Sequence, residues 1–600
     1  MVPVSYGLVH VFDLDPFTVG AVVLPYGVGG LMAAVLLALA VRRAPDVLVG
    51  VALGGFAGWM VLCMATALHG TPFPYGTIFG DEGRLLAQAT KSMHTWRSTD
   101  SFVKNLPTEY PPLYPWFVGH LADVVGRPAW RIAGHVQVLV LSGTMVGGYA
   151  MWRRLVSARI AFLIVVLFTS TWCQPAKDYE FVASMLIVPW VLVTFVPLPT
   201  LRGRMHWLPA GVMGGLMVCT YSAYFVFSAL GIGVMILMGL RAAEQRGRYL
   251  LHLLGVFCAA FVAASWYVVP FVWTLVTDGG QRVSDFYLGQ DLVTTPVYLG
   301  FLTPDVRGLL ALAGLLGLIW YRKQAWWAQP ILLLVGSAYA YRVLFLLRTS
   351  YDNHTGYLQY TTRFLDATLV TAAFLTLAEA LPALRRRIPG PLPRQREVAL
   401  VGVAAVVAWT SVAGWQQWMP TPFGGRDVYK YASVAPNWAT AAHAEPLPNG
   451  KLTRYFPPKT KPNFFPTAKV RAFVSQVLGT SARPVVLSYD QRLFVFEPYY
   501  GYLPPDRIAA NTLQRWDDRY AGLQQLAALT DPDAFAAAAG HTAFGPIDVF
   551  VLKRKGDMWV FTTPVGPGKA SPVSFTPGSF SRHFQIALLP YDTVIAIRQP

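Results

Sequence analysis

Repeated apolar runs are the feature that most constrains this chain. Each run is roughly 17 to 25 residues long, which is the length of helix that crosses a bilayer. Short charged links separate the runs. Only 13% of the residues are charged and 54% are hydrophobic, whereas soluble domains are about 25% charged. The sequence therefore predicts a polytopic α-helical membrane protein.

The apolar runs fall within residues 1–416, which we expect to form one transmembrane domain. We expect about twelve spans in it. The stretch 112–126 is too short to count with them, and we interpret it as a re-entrant or interfacial helix. The expected spans are 20–41, 47–68, 132–151, 158–172, 181–198, 207–222, 223–240, 250–275, 308–321, 326–346, 362–381 and 397–416.

The positive charge of the chain has a topological explanation. A net charge of +17 can indicate nucleic-acid binding, but here the Arg residues cluster at the ends of apolar runs. That pattern is typical of cytoplasmic loops, so we exclude a nucleic-acid partner. The same rule places the links around Asp81, 177–180, 278–305 and 351–363 on the extracytoplasmic side of the plasma membrane.

After about residue 417 the composition becomes that of a soluble domain. Charged residues and Pro become common, and the apolar runs shorten. Short runs rich in β-branched and aromatic residues predict strands, and a helical pattern at 511–530 lies between them. We therefore expect an extracytoplasmic α/β domain over residues 417–600, with a hairpin at 555–557. The predicted strands are 484–489, 548–554, 558–563 and 593–599.

Two adjacent carboxylates, Asp81 and Glu82, open the first outer loop. Ionised side chains beside a bilayer are costly, so they are functional candidates. Transfer of a sugar from a phospholipid carrier to a hydroxyl requires a base, and we interpret Asp81 as that base. Two alternatives stay open: Asp81 could cap the following helix, and Glu82 could be the base. The pair could also hold a divalent cation, Mg²⁺ or Mn²⁺.

The same loop ends on Glu109 and Tyr110, followed by two prolines that restrict the backbone. The segment TEYPPLYPW is therefore expected to form a rigid, aromatic surface beside the membrane. Its rings can stack on sugars, but Tyr and Trp also form ordinary interfacial belts.

The second outer loop packs four polar residues between two spans, in the sequence KDYE. Lys177 could pair with the phosphate of a carrier lipid, and we expect Tyr179 and Glu180 to contact substrate beside it. The alternative is a solvated ion pair between Lys177 and a neighbouring carboxylate, which contributes little free energy.

A later loop places His354, Arg363 and Asp366 at the outer mouth of two spans. Charges at the start of a span are functional candidates, and Arg binds phosphate through two parallel hydrogen bonds. We expect Arg363 to bind the carrier phosphate, with an internal Arg363–Asp366 helix pair as the alternative. His354 is expected to contact substrate rather than metal, because no second ligand is spaced to join it.

Six motifs, in this order, carry a family resemblance. The chain resembles the galactan 5-O-arabinofuranosyltransferase family of actinobacteria, whose members are membrane glycosyltransferases of the GT-C fold. The motifs are GDEGR (80–84), EYPPLYPW (109–116), KDYEF (177–181), EPYYGYLPP (497–505), WDDRYAGLQQL (516–526) and AIRQP (596–600).

The resemblance implies a donor, an acceptor and a base. The donor would be decaprenyl-phosphoryl-arabinofuranose, and the acceptor would be a lipid-linked galactan chain of the cell wall. Transfer would invert the anomeric centre and release decaprenyl phosphate. Asp81 would be the base, and Glu82 and Arg84 of GDEGR would bind substrate. The C-terminal domain would guide the polymeric acceptor.

Three other functions fit parts of the pattern. The first is a polyprenyl-phosphate mannosyltransferase of the same fold, which only the donor distinguishes. The second is a transporter of lipid-linked glycans, although such proteins often show inverted repeats that are not evident here. The third is an inactive scaffold with a carbohydrate-binding C-terminal domain.

Overall fold

The computed structural model of the 600-residue chain describes most of its length. The described residues are 2–18, eleven positions between 20 and 35, 45–196, 205–282, 297–352, 358–387, 418–420, 438–457, 460–507, 509–566 and 569–599.

Helices form most of the described chain before residue 390. Their first thirteen labelled members are α1 (Val2–Phe12), α2 (Asp46–Ala67), α3 (Gly80–Ser92), α4 (Leu113–Val125), α5 (Ala129–Trp152), α6 (Ala158–Trp172), α7 (Asp178–Phe195), α8 (Trp207–Thr220), α9 (Ala223–Ala242), α10 (Arg246–Asp278), α11 (Val306–Tyr321), α12 (Ala328–Asp352) and α13 (Leu358–Arg387). Five more follow: α14 (Trp438–Ala444), α15 (Thr467–Leu478), α16 (Arg492–Phe496), α17 (Trp516–Ala527) and α18 (Pro532–Gly540).

The chain after residue 440 adds a seven-stranded mixed sheet. Strand β3 lies at its centre; it pairs in parallel with β1 and antiparallel with β4 and β7. All four strands predicted from the sequence are present, and the predicted hairpin at 555–557 joins β3 to β4. The strands are β1 (Val485–Ser488), β2 (Tyr500–Gly501), β3 (Val549–Lys555), β4 (Met558–Gly566), β5 (Lys569–Phe575), β6 (Phe584–Leu589) and β7 (Thr593–Arg598).

The chain divides into two compact units, each built from separate segments. The first unit comprises residues 1–69, 135–264 and 288–439, and it contains most of the apolar helices. The second comprises 70–134, 265–287 and 440–600, so the first outer loop belongs to the same unit as the sheet. The boundary predicted between 416 and 417 lies outside the described residues and stays a prediction.

Within the described residues, five helices are long and apolar enough to cross a membrane, and three shorter apolar helices accompany them. Each of the eight overlaps a predicted span, which confirms the prediction of a polytopic helical membrane protein with a C-terminal sheet. The number of twelve stays a prediction, because the span at 397–416 lies outside the described residues. The segment 112–126 is helical, as α4.

Helices α11 and α13 of the first unit pack so closely that two positions must be glycine. A Cβ added at Gly314 would overlap the carbonyl oxygen of Leu369, and one at Gly317 would overlap the side chain of Thr376. The two contacts advance together along both helices, so the helices run parallel. The N-terminal ends of the two helices, near which Arg307 and Arg363 lie, are therefore on the same side.

We expect Gly314→Ala to destabilise the protein by about 1–3 kcal/mol, because the added methyl group overpacks the contact with α13. The measurement is thermal unfolding of the detergent-purified chain. Gly336→Ala is the matched control, since a Cβ there meets nothing within 4 Å. Equal melting temperatures for the two variants would contradict this account of the contact.

Candidate functional site

A pocket with a cavity volume of about 50 Å³ lies in the first unit where five helices meet. Helix α6 ends there, whereas α7, α9, α11 and α13 contribute residues at or near their N-terminal ends. Helix N-termini carry partial positive charge and favour anions. The pocket is lined by Thr171, Trp172, Gln174, Lys177, Glu180, Phe181, Ser184, Tyr224, Arg307, Arg363 and Ala367.

Charge in this pocket is strongly unbalanced. Lys177, Arg307 and Arg363 line it, and Glu180 is the only carboxylate among its lining residues. Residues three and four apart share a helix face, which explains why Lys177, Glu180 and Ser184 all reach the pocket from one helix start. Among the lining residues the positive charges exceed the negative charges by two, an arrangement that favours an anionic ligand.

Glu180 fixes Arg363 in place. Its Oε2 lies 2.5 Å from Nη1 of Arg363, and its Oε1 accepts a hydrogen bond of 2.9 Å from the Tyr224 hydroxyl. The Glu180 side chain is only 6% exposed, whereas Arg363 is 37% exposed toward the pocket. These bonds link α7, α9 and α13, so Glu180 positions the guanidinium.

Arg307 enters the pocket from the first turn of α11. Its guanidinium carbon lies 5.3 Å from the centroid of the Trp172 ring, within the range of a cation–π contact. Asp305 caps the same helix by accepting a hydrogen bond of 2.7 Å from the Gly308 N–H. The ring of Trp172 therefore sets the direction of the Arg307 side chain.

Lys177 and Tyr179 form a second cation–aromatic pair. Nζ of Lys177 lies 3.1 Å from the Tyr179 hydroxyl and 5.7 Å from the ring centroid. Tyr179 is 2% exposed and lies near the Tyr221 ring. Tyr179 does not line the pocket itself, but it contacts Lys177, which does.

The Arg363–Asp366 helix pair offered as an alternative is not formed. Arg363 bonds to Glu180, and Asp366 accepts a short hydrogen bond from the Tyr298 hydroxyl. That bond ties the segment before α11 to α13.

In the second unit, α3 begins directly before the carboxylate pair. Asp81 lies in its first turn and is half-buried, and Glu82 is 4% exposed. The cap position belongs to Phe79, so Asp81 is not the capping residue. Negative charge in the first turn still interacts favourably with the helix dipole.

Side chains of the first outer loop bind residues near the sheet of the same unit. Arg84 donates to the carbonyl of Ala509, and the Thr90 hydroxyl donates to the carbonyl of Val495 over 2.7 Å. These two hydrogen bonds hold helix α3, and with it Asp81, against residues near the sheet.

Glu109 is bound in the same way. Its carboxylate accepts hydrogen bonds from the Thr512 N–H (2.6 Å) and hydroxyl (3.1 Å), and its carbonyl accepts one from Tyr267. Burial raises the pKa of Glu109, and the Thr512 bonds partly oppose that shift. Tyr110 follows it, half-buried, with its N–H bonded to the Thr108 hydroxyl.

The remaining predictions concern His354 and a metal. His354 lies outside the described residues. Among the residues that are described, no group of three or more His, Cys, Asp or Glu side chains could hold a metal ion. The divalent cation on Asp81 and Glu82 stays a prediction, and it would need most of its oxygen ligands from water or substrate.

The structure thus groups the predicted residues into two sets. Lys177, Glu180 and Arg363 share the pocket of the first unit, with Tyr179 behind Lys177. The second unit holds Asp81, Glu82, Arg84, Glu109 and Tyr110. Sequence reasoning missed Arg307, although it is a charge at the start of a span, the signal that identified Arg363. Trp172 and Tyr224 carried no such signal.

The membrane-crossing helices define an integral-membrane protein, and its candidate site is a pocket lined by three cations. Comparison with known proteins adds the family. Residues 17–412 match the family described as Arabinofuranosyltransferase N terminal, and residues 437–563 match Arabinofuranosyltransferase A C terminal. The chain belongs to this arabinofuranosyltransferase family, and it is a glycosyltransferase.

Curated relatives carry the name galactan 5-O-arabinofuranosyltransferase. The one from Mycobacterium tuberculosis H37Rv is 24% identical over 523 residues, covering 83% of this chain and 76% of the relative. The one from Mycolicibacterium smegmatis is 22% identical, covering 84% and 78%. A solved structure of the Archaeoglobus fulgidus oligosaccharyltransferase AglB, with an inhibitory peptide and a dolichol-phosphate, aligns at a TM-score of 0.41, 11% identity, and coverage of 90% and 74%.

Replacing Glu180 with Gln should destabilise the first unit by roughly 1–3 kcal/mol, because the charged hydrogen bond to Arg363 is lost. Arg363→Met alone leaves the buried Glu180 without this partner and should cost a similar amount. The double variant should cost less than the sum of the two. Thermal unfolding of all four proteins measures the coupling, and strictly additive changes would show that the pair is not an energetic unit.

Proposed function

We propose that this protein transfers arabinofuranose from decaprenyl-phosphoryl-arabinofuranose to cell-wall galactan, with inversion at the anomeric carbon. The names of its relatives support the acceptor. The main support for the proposed donor is the pocket, whose lining includes three cations, Lys177, Arg307 and Arg363, and one carboxylate. Such a pocket suits the phosphate of a prenyl carrier.

The charge of the carrier phosphate changes during the reaction. In the donor it is a diester with one negative charge, and the released decaprenyl phosphate is a monoester that can carry two. An excess of two positive charges therefore binds the departing phosphate better than the donor. Interactions that strengthen toward the transition state accelerate the reaction.

Asp81 is the base in this proposal. The acceptor hydroxyl oxygen attacks the anomeric carbon, the bond from that carbon to the phosphate oxygen breaks, and its electron pair leaves with the phosphate. The hydroxyl proton passes to the Asp81 carboxylate. Glu82, Arg84, Glu109 and Tyr110 belong to the same loop and would bind the acceptor.

The reaction would take place on the extracytoplasmic face of the plasma membrane. The distribution of Arg residues between the links supports this orientation, which places both the loop of Asp81 and the C-terminal residues outside. There the sheet-containing segment would guide the galactan chain. Asp81 and Glu82 are the residues that would hold a divalent cation, which would supply positive charge to a bound substrate.

The test of the base is Asp81→Asn, which keeps the shape of the side chain but cannot accept the proton. We expect transfer to fall at least about a hundredfold, while the melting temperature stays near that of the parent. Asp123→Asn, an exposed position of α4, is the matched control and should retain full activity. Full turnover by Asp81→Asn would remove this residue as the base.

The test of the donor is a panel assayed on purified protein with a galactan acceptor. We expect sugar transfer and free decaprenyl phosphate from decaprenyl-phosphoryl-arabinofuranose, and neither from the corresponding mannose carrier. The anomeric configuration of the product, read by NMR, reports inversion. Transfer of mannose instead, or movement of lipid without bond cleavage, would contradict the proposal.

A further inference from the structure

The turn that leads into α3 and Asp81 is held by the residues at the start of α16, in the same unit. Nε2 of Gln491, the residue directly before α16, donates a hydrogen bond of 3.2 Å to the Ile78 carbonyl. A Cβ added at Gly83 would overlap that carbonyl oxygen and lie 3.0 Å from the same Nε2. The first turn of α3 is therefore in close contact with the start of α16.

Arg492, the first residue of α16, contacts the next residue of the turn, Phe79. Its guanidinium carbon lies 5.4 Å from the centroid of the Phe79 ring and 5.6 Å from that of Phe465. Both distances are within the range of a cation–π contact, and a planar guanidinium stacks well on aromatic faces. Phe465 is buried, whereas Phe79 is 39% exposed. Arg492 thus fixes an exposed ring at the start of α3 from the inside of the unit.

Arg492 is itself held in one orientation. Its Nε and Nη2 donate to the two carboxylate oxygens of Asp490 over 2.9 and 2.6 Å. Its Nη1 donates to the Glu445 carboxylate over 3.2 Å and to the carbonyl of Asn463. The side chain is only 3% exposed. The direction of the guanidinium is therefore set by the protein before any substrate binds.

We infer that Arg492 is a positioning residue for the base: by stacking on Phe79 it fixes the direction in which the first turn of α3 presents the Asp81 carboxylate. This inference rests on the proposed function, since it concerns Asp81 as the base. Gly80, between Phe79 and Asp81, has a φ of +59°, a conformation that gives the chain a sharp turn there. The Phe79 ring anchors that turn two residues before the carboxylate.

The experiment compares Phe79→Leu with Phe79→Tyr in transfer assays on the full-length, detergent-purified chain. Leu keeps an apolar side chain but removes the aromatic face, so we expect kcat to fall about fivefold to fiftyfold because the base is misplaced. KM for donor and acceptor should stay near the parent values, as should the melting temperature, because position 79 is partly exposed. Phe79→Tyr keeps the ring and should retain kcat. A rise in KM with unchanged kcat would show instead that Phe79 binds substrate.

A double-variant cycle separates positioning from a purely structural role. If Phe79 acts through the Asp81 carboxylate, adding Phe79→Leu to Asp81→Asn should have little further effect on kcat. A fall by the same factor in both backgrounds would contradict the inference. Phe464→Leu is the matched control: it changes a half-buried ring that stacks on Tyr591, and it should alter neither kcat nor KM.

Arg492→Lys tests the cation itself. Lysine keeps the charge beside Asp490 and Glu445 but lacks the planar group, so kcat should fall by a factor similar to that of Phe79→Leu. A folded Arg492→Lys protein with full kcat would remove Arg492 from this role. Should the variant fail to fold, the Phe79 pair and the cycle decide.

The outcomes also distinguish this inference from the proposed function. Full turnover by Asp81→Asn would show that Asp81 is not the base, and the inference would be wrong with it. Loss of activity in Asp81→Asn, together with a Phe79→Leu protein as active as the parent, would leave the proposed function standing and show that the inference is wrong.

Discussion

The ion pair between the buried Glu180 carboxylate and the partly exposed Arg363 guanidinium is the interaction on which the pocket depends. Removing a carboxylate and a guanidinium from water is costly, and their attraction offsets that cost only when the geometry is good and other donors are satisfied. Tyr224 supplies the other donor. The three residues lie near the starts of three helices, so their bonds hold these helix starts together beside the pocket.

The contact between helices α11 and α13 brings a further cation, Arg307, to the pocket. Glycine at 314 and 317 allows the two backbones to approach, and the parallel arrangement carries Arg307 to the end where Arg363 lies. Electrostatic preorganisation of this kind is effective because the charges are fixed before the ligand arrives. A chain in which only 13% of residues are charged thus concentrates three cations around one cavity.

Most of the helices and strands, and part of the candidate site, could be predicted from the sequence. Apolar length predicted the helices, and charges at the outer ends of spans identified Lys177 and Arg363. The strand at 549–555 was evident from its β-branched residues, whereas β5 and β6 were not predicted; a proline at position 572 weakens the pattern of β5. The partners of these charged side chains could not be predicted. Nothing in the sequence indicates that Glu180 bonds to Arg363, 183 residues away, rather than to Lys177. Arg307 was within reach of the same rule and was overlooked.

The second unit shows why composition alone is an incomplete guide to organisation. The change at about residue 417 separates apolar from polar sequence, yet residues 70–134 fold with 440–600. Glu109 binds Thr512, and Asp100 accepts two hydrogen bonds from Gln514. A polar loop between two spans cannot bury its own backbone and charges, so it takes partners from a distant segment that can. The helix carrying Asp81 is consequently positioned by residues more than four hundred positions later in the chain.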